Sequence, residues 1–154
     1  MDPLKHASIP ALAYLAVSKD PCLLALAVLV AGAVMPDLDA LAREHRSYLH
    51  GLPFAVPVIL PALLTGNTYV WLFAIGVWFH ILLDFFTGVI PFLYPFRKMG
   101  YGLSVMMRAG PGGFGLSVRM IRADPSPRRN YDVDLGGGLV MLIVATAVAA
   151  LRLL

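Results

Sequence analysis

The sequence predicts an all-α polytopic membrane protein with four to five transmembrane helices and a small cytoplasmic β-hairpin at about residues 101–120. Three observations lead to this fold class: the composition, the length of the apolar segments and the distribution of basic residues. Of the 154 residues, 59% are hydrophobic and 14% are charged, and the mean hydropathy is +0.78. A soluble domain has about 25% charged residues. Lipid is therefore the solvent that suits this chain, which we expect to form a single membrane domain over residues 1–154.

Apolar segments of near-spanning length recur along the chain. A bilayer core about 30 Å thick needs about 20 helical residues. The candidates, from strongest to weakest, are residues 68–86, 136–154, 21–34, 52–64 and 4–17. Three prolines kink the fourth of these, which a membrane bundle tolerates when neighbouring helices satisfy the freed backbone groups. A soluble all-helical protein is the alternative, and the same lengths and hydropathy disfavour it.

The basic residues predict an orientation. If the N-terminus is cytoplasmic and every candidate crosses, ten of the twelve Lys and Arg residues lie on the cytoplasmic side. This excess follows the positive-inside rule. The same orientation independently brings all four histidines to the cytoplasmic face. We therefore expect a multi-pass protein of the cytoplasmic membrane with a cytoplasmic N-terminus.

Residues 97–135 form a basic region before the last apolar segment. The sequence YGLSV at 101–105 recurs as FGLSV at 114–118, and AGPGG lies between the two copies. Short β-favouring runs on either side of a Gly/Pro turn predict a hairpin. Its arginines fit a positive-inside loop, and they also fit a flap that attracts anionic lipid headgroups. We expect no nucleic-acid binding, because there is no recognition motif and topology explains the basic excess.

Ionisable residues gather in the segment VMPDLDALAREHRSYLHG, at 34–51, and near the end of the strongest apolar segment. His80 and Asp84 are four residues apart and so share one helical face. Asp37 and Asp39 face one way if the backbone after Pro36 is extended. Ionisable groups at membrane depth are costly and usually functional. The candidate metal ligands are His6, Asp37, Asp39, His45, His50, His80 and Asp84.

A mixed set of nitrogen and oxygen ligands suits a divalent transition metal. We expect Zn, with Mn or Fe as alternatives, rather than Mg or Ca. Seven ligands exceed the usual need of one ion, so the set could hold two. Taken one at a time, these residues fit core histidines, a helix cap or a headgroup-facing loop. Their convergence at one depth favours the metal site.

These motifs together resemble the YdjM/YbcI family of small prokaryotic membrane proteins, described as membrane-bound metal-dependent hydrolases. The resemblance covers residues 6 to about 96 and rests on His6, PDLD at 36–39, HRSYLH at 45–50 and HILLDFFTGVIPFLYPF at 80–96. Relatives have Gly, Thr and Ser where this chain has Ser47, Leu49 and Gly51. The loss of those two hydroxyls affects substrate contacts more than metal binding. The family in turn resembles zinc-dependent phospholipases C, although more loosely.

The resemblance implies a hydrolase, and the looser link implies a phosphoester of a lipid or lipid-linked substrate at the cytoplasmic face. Arg46 is the candidate to grip the phosphate, and Glu44 is a candidate proton acceptor or a solvated loop acid. The rival class is a non-enzymatic membrane protein, either an ion or proton pathway or a metal-stabilised scaffold. A transporter of this length would need to form a homo-oligomer.

Overall fold

Six helices and one hairpin form the part of the chain that the structure, a computed structural model, describes: residues 2–41, 46–110, 113–123 and 136–153. The elements are α1 (Pro3–Val17), α2 (Leu23–Val34), α3 (Leu52–Ala55), α4 (Ile59–Thr65), α5 (Thr68–Thr87), β1 (Gly100–Gly110), β2 (Gly113–Ala123) and α6 (Gly137–Leu153). Two short 3-10 helices, Met35–Leu41 and Tyr48–His50, lie between α2 and α3.

The prediction of four to five transmembrane helices was wrong. Among the described residues, only α5 is both long and apolar enough to cross a membrane. The other predicted segments do form helices, but α1, α2 and α6 have 15, 12 and 17 residues. At about 1.5 Å per residue, even the longest of these covers about 26 Å, against a bilayer core of about 30 Å. The segment at 52–64 is divided into α3 and α4 by a turn that contains Pro57.

Local sequence fixes both ends of α5. The Asn67 side chain caps the first turn by accepting hydrogen bonds from the backbone nitrogens of Tyr69 and Val70, at 2.8 and 3.4 Å. The helix then runs for 20 residues to Thr87 with no charged side chain before Asp84, and Gly88 follows as its C-cap. Its buried face carries His80 and Asp84, so the helix that suits a membrane span also carries both members of the polar pair predicted from spacing.

Two glycines bring α2 and α5 into backbone contact. A methyl group at Gly32 would overlap the Phe73 carbonyl oxygen, and one at Gly76 would overlap that of Leu29. Small residues at helix contacts are the usual way in which membrane helices approach closely. Because the two backbones touch here, the next carbonyl of α2, that of Ala33, comes within reach of a side chain one turn further along α5.

The N-terminal helix α1 packs between α2 and α6. Its Ala11 and Leu15 form a buried cluster with Leu26 of α2, and Val148 and Leu153 of α6 pack against that cluster. Asp2 caps α1 through the Leu4 nitrogen, at 3.3 Å, and its carboxylate also lies against Gly138 at the start of α6. This packing holds the beginning of α1, where His6 lies, against the end of α2.

The predicted hairpin at 101–120 is confirmed, and it extends from 100 to 123. The strands are antiparallel and in regular register, with Gly100 opposite Ala123 and Val105 opposite Val118. Gly102 packs directly on the Gly88 carbonyl oxygen, where a side chain would not fit. Ile90 and Tyr101 exchange two backbone hydrogen bonds of 2.9 Å. The base of the hairpin is therefore docked on the C-terminal end of α5.

The close contact of α2 and α5 can be tested with Gly76→Ala. Since the added methyl group meets backbone rather than a flexible side chain, we expect the free energy of unfolding in detergent to fall by about 1–3 kcal/mol. Ala31→Ser also adds one heavy atom, but on the exposed face of α2, and it serves as the matched control. Thermal unfolding curves that coincide for wild type and Gly76→Ala would contradict the backbone contact described here.

Candidate metal centre

Five of the seven predicted ligands meet in one buried cluster, which we call the His/Asp cluster: His6, Asp37, His50, His80 and Asp84. They come from α1, the two 3-10 helices and α5, and each is at most 5% exposed. Asp39 is also buried but belongs to neither of the two groups with metal-ligand geometry among the described residues. His45 and Glu44 lie outside the described residues, so their roles stay predictions.

Each of the three imidazoles is held through its Nδ1 atom. His6 Nδ1 lies 3.0 Å from Asp37 Oδ2, His50 Nδ1 lies 2.8 Å from Asp39 Oδ2, and His80 Nδ1 lies 2.7 Å from the Ala33 carbonyl oxygen. A carbonyl or carboxylate oxygen only accepts, so these contacts assign the ring proton to Nδ1. Metal-ligating histidines are usually oriented in this way, by an acceptor on the nitrogen that faces away from the metal.

The Nε2 atoms of the three rings point toward one small volume. His50 Nε2 lies 3.0 Å from His80 Nε2. The Asp84 carboxylate lies between His6 and His50, with Oδ1 3.3 Å from His6 Nε2 and Oδ2 3.3 Å from His50 Nε2. Asp37 Oδ1 stands 3.8 Å from His80 Nε2. The cluster thus presents three nitrogens and two carboxylates to the same centre.

This arrangement fits a metal ion. Ligand atoms around one tetrahedral zinc, with bonds of about 2.0–2.1 Å, lie about 3.3 Å apart, and the donor atoms here are separated by 3.0–3.8 Å. Two bare imidazole nitrogens repel at 3.0 Å unless a cation or a shared proton lies between them. His6 Nε2 is buried and forms no hydrogen bond with any described residue. A divalent cation would satisfy all of these atoms together.

Asp39 organises the loop before α3. Its carboxylate accepts hydrogen bonds from the backbone nitrogens of Ser47, at 2.7 Å, and Arg46, at 3.2 Å, as well as from His50. The backbone at 35–41 is a 3-10 helix rather than the extended loop on which the shared direction of Asp37 and Asp39 depended. The two carboxylates consequently serve different histidines.

Arg46 reaches the edge of the His/Asp cluster. Its Nη2 lies 2.9 Å from Asp84 Oδ1, and the side chain is 20% exposed. The guanidinium crosses Gly88 so closely that a methyl group there would overlap Nη1. Arg46 also has a left-handed backbone, with φ of 58°, which is uncommon for a residue with a side chain. The hydrogen bonds from the 46–47 backbone to Asp39 hold this conformation.

The surroundings of His50 favour its protonated form in the absence of metal. Burial lowers the pKa of His50, but the hydrogen bonds to Asp39 and Asp84 raise it, and the net pKa lies above the usual value of 6.5. A proton on His50 and a metal ion at its Nε2 therefore compete, and a lower pH favours the proton.

Several contributions to the site left no trace in the sequence pattern. The Ala33 carbonyl orients His80, yet a backbone acceptor has no residue signature. Gly88 and Gly102 make room for Arg46 and for the hairpin, although Gly88 is marked only as a glycine at the end of an apolar segment and Gly102 only as part of the YGLSV repeat. Ser47, which is 1% exposed, supplies a backbone nitrogen to Asp39 and so acts through its position rather than its hydroxyl.

Comparison with protein families gives a match over nearly the whole chain. The family model described as YdjM inner membrane protein matches residues 1–153. The chain belongs to the YdjM inner membrane protein family. This membership extends the sequence resemblance beyond residue 96 and makes the protein an inner-membrane protein. No curated protein and no solved structure shows significant similarity to the chain. The looser resemblance to zinc-dependent phospholipases C has no support from these comparisons.

The metal fit can be tested by elemental analysis of the purified protein with Asp84→Asn. The substitution keeps the size of the side chain but removes the negative charge that faces His6 and His50. We expect wild type to bind about one equivalent of zinc, with the affinity lowered by more than about tenfold in the variant. Chelation should lower the melting temperature of wild type more than that of Asp84→Asn, since bound metal stabilises the folded state. Asp20→Asn, at an exposed acid, is the matched control. Equal zinc affinity in Asp84→Asn and Asp20→Asn would contradict a metal site at the His/Asp cluster.

Proposed function

We propose that this YdjM-family protein is a metal-dependent hydrolase that acts on a phosphoester of a lipid or lipid-linked substrate. The observation that carries the proposal is the convergence of three Nε2 atoms and the Asp84 carboxylate on one volume, with the Arg46 guanidinium at its edge. A site that combines ligands for a Lewis acid with a fixed, partly exposed cation suits an anionic ester better than a neutral one.

The metal would be held by one of two overlapping groups. One consists of His6, Asp37 and His80, and the other of His50, His80 and Asp84. Since His80 has only Nε2 free, it can serve one ion at a time in this arrangement. The geometry therefore supports a single ion most directly, whereas the sequence had left two ions open. Zinc suits these ligands best, with Mn or Fe as alternatives.

Different residues of the chain would have different roles around that ion. When bound, the metal would supply a nucleophilic water at neutral pH and neutralise charge on the phosphoryl group. The planar fork of Arg46 would hold two phosphoryl oxygens. Its pairing with Asp84, at 2.9 Å, keeps the guanidinium at the site before substrate arrives. Asp39 would position both Arg46 and His50. Glu44 remains the candidate proton acceptor on sequence grounds alone.

We also propose that the site faces the cytoplasm. His80 and Asp84 lie in the C-terminal half of α5, and the residues that follow this helix are strongly basic. Under the positive-inside rule, the C-terminal end of α5 is then cytoplasmic. His6 Nε2 lies 3.3 Å from Asp84 Oδ1, so the beginning of α1 lies at the same depth. This contact supports a cytoplasmic N-terminus without any assumption about the number of spans.

A non-enzymatic role is the second candidate, and one observation favours it. The contacts from Asp39 through His50 to His80 form a continuous series of 2.8, 3.0 and 2.7 Å that ends at the Ala33 carbonyl. Such a series could store or relay a proton, or stabilise a scaffold. The series ends at α2, which carries no polar side chain that could extend it, and this disfavours a pathway across the membrane.

Activity should be measured on phospholipids and lipid phosphates with the zinc-loaded protein, comparing wild type, His80→Ala and Arg46→Lys. We expect His80→Ala to abolish turnover. Arg46→Lys should retain metal but lose about tenfold to a hundredfold in kcat/KM, because hydrogen bonds to a charged group contribute about 1.5–3 kcal/mol.

Arg152→Lys is the matched control, because Arg152 donates a hydrogen bond to the carbonyl oxygen of Ser18, which lies at the opposite end of α1 from His6. Zinc binding without turnover of any ester in a broad panel would refute the hydrolase and leave a metal-stabilised scaffold. Turnover that survives His80→Ala would place the chemistry elsewhere.

The orientation can be tested by thiol labelling in a Cys22→Ser background, since Cys22 is the only cysteine. Thr65→Cys, just before α5, should react with a membrane-impermeant reagent in spheroplasts. Ser117→Cys, in the hairpin, should react only in inverted vesicles. Both positions are exposed, so a difference in labelling reports the side of the membrane. The reverse pattern would place the site on the external face.

A further inference from the structure

One face of the hairpin is apolar and uncovered. Side chains alternate along a strand, so Phe114, Leu116, Val118 and Met120 of β2 point the same way. They are 71%, 65%, 59% and 67% exposed. On β1, Leu103 lies opposite Met120 and Val105 opposite Val118, which continues the same face across the sheet. We call these six residues the hairpin face.

The other side of β2 has a different character. It carries Gly115, Ser117 and Arg119, with a single large apolar residue, Ile121, near the base. This alternation is the pattern of a sheet that is buried on one side and solvated on the other. Exposed apolar patches of this kind mark interaction surfaces in proteins. The hairpin face is therefore built to be covered, and no described part of the chain covers it.

The position of the hairpin indicates what covers it. Its base is docked on the end of α5, through Gly102 on the Gly88 carbonyl and through the paired hydrogen bonds of Ile90 and Tyr101. The end of a membrane span lies at the bilayer surface. The hairpin face thus begins where headgroups meet the acyl chains, and the neighbouring Phe96, which is 83% exposed, adds to the apolar surface there.

Charge around the hairpin is complementary to anionic lipid. Arg97, Arg119 and Arg122 are exposed, and the guanidinium carbon of Arg122 stands 5.6 Å from the centre of the Tyr101 ring at the base. Basic residues next to a membrane surface are attracted by anionic headgroups, and long basic side chains extend from an apolar surface to reach them. An apolar face with basic residues at its margin matches the composition of interfacial membrane anchors.

We propose that the hairpin face lies in the interfacial layer of an anionic bilayer, as a second membrane contact beside α5. This contact does not depend on the metal centre or on catalysis. It has a consequence for the site, because Gly88 is the residue on which both the hairpin and the Arg46 guanidinium rest. Insertion of the hairpin face would hold Gly88, and the Arg46 guanidinium that packs on it, at the level of the lipid headgroups.

The test uses the full chain in a Cys22→Ser background, with a thiol placed on one side of β2 or the other. Val118→Cys lies on the hairpin face and Ser117→Cys on the opposite side, one residue away and also exposed. Each is labelled with the fluorophore NBD and reconstituted into phosphatidylcholine vesicles with or without phosphatidylglycerol. Lipids that carry a nitroxide quencher high on the acyl chain report contact with the bilayer.

We expect several-fold stronger quenching and a blue-shifted emission for the label at position 118, and little of either at position 117. Phosphatidylglycerol should increase the quenching at 118, and Arg119→Gln with Arg122→Gln should remove that increase. Equal quenching at both positions would overturn the proposal. So would a label at 118 that lipid does not quench but that becomes shielded as protein concentration rises, since a second copy of the chain would then cover the face. Quenching at 118 that is indifferent to phosphatidylglycerol would overturn the anionic preference.

Discussion

Three imidazole Nε2 atoms face one buried volume, and the rest of the structure keeps them there. Each ring is held from behind by an oxygen that can only accept a hydrogen bond, so Nδ1 carries a proton and Nε2 is the atom that is turned toward the shared volume. Placing such atoms 3.0 Å apart beside a carboxylate is unfavourable unless positive charge lies among them. The contact of α2 with α5, the two 3-10 helices and the packing of α1 together hold the three rings in this arrangement.

The set of side chains that meet at the site could be predicted further than the helices that carry them. Spacing alone placed His80 and Asp84 on one helical face, because the period of an α-helix leaves little choice. The meeting of His6, Asp37 and His50 with that pair was predicted from a common depth, although the span count behind that depth was wrong. The expectation survived because the apolar segments still form helices that pack side by side. The oxygen atoms that orient His80 and His50 could not be foreseen. The first is the backbone carbonyl of Ala33, which has no sequence signature, and the second belongs to Asp39, whose direction depends on the local backbone turn.

Length and hydropathy misjudged the membrane spans for a definite reason. Those measures count apolar residues between charges, whereas a helix ends where its backbone geometry changes. In the segment at 21–34, α2 begins only at Leu23, after Pro21 and Cys22, and a turn at 56–58 separates α3 from α4, so apolar composition continues where the helix does not. The hairpin, by contrast, was visible because its repeat and its Gly/Pro turn are local signals. Family membership then supplies what helix length does not, namely the inner membrane as the location of the protein.

The left-handed backbone of Arg46 sets stability against function at a single position. A residue with a side chain held at φ of 58° costs about 1–3 kcal/mol in conformational strain. Glycine or asparagine would adopt this conformation more readily, so directed evolution for thermostability alone should favour them at position 46. Either replacement would also remove the only described guanidinium that reaches Asp84. A library selected for heat resistance would thus lose the Arg46 guanidinium. Selection for the native role would keep Arg46 together with its strained backbone.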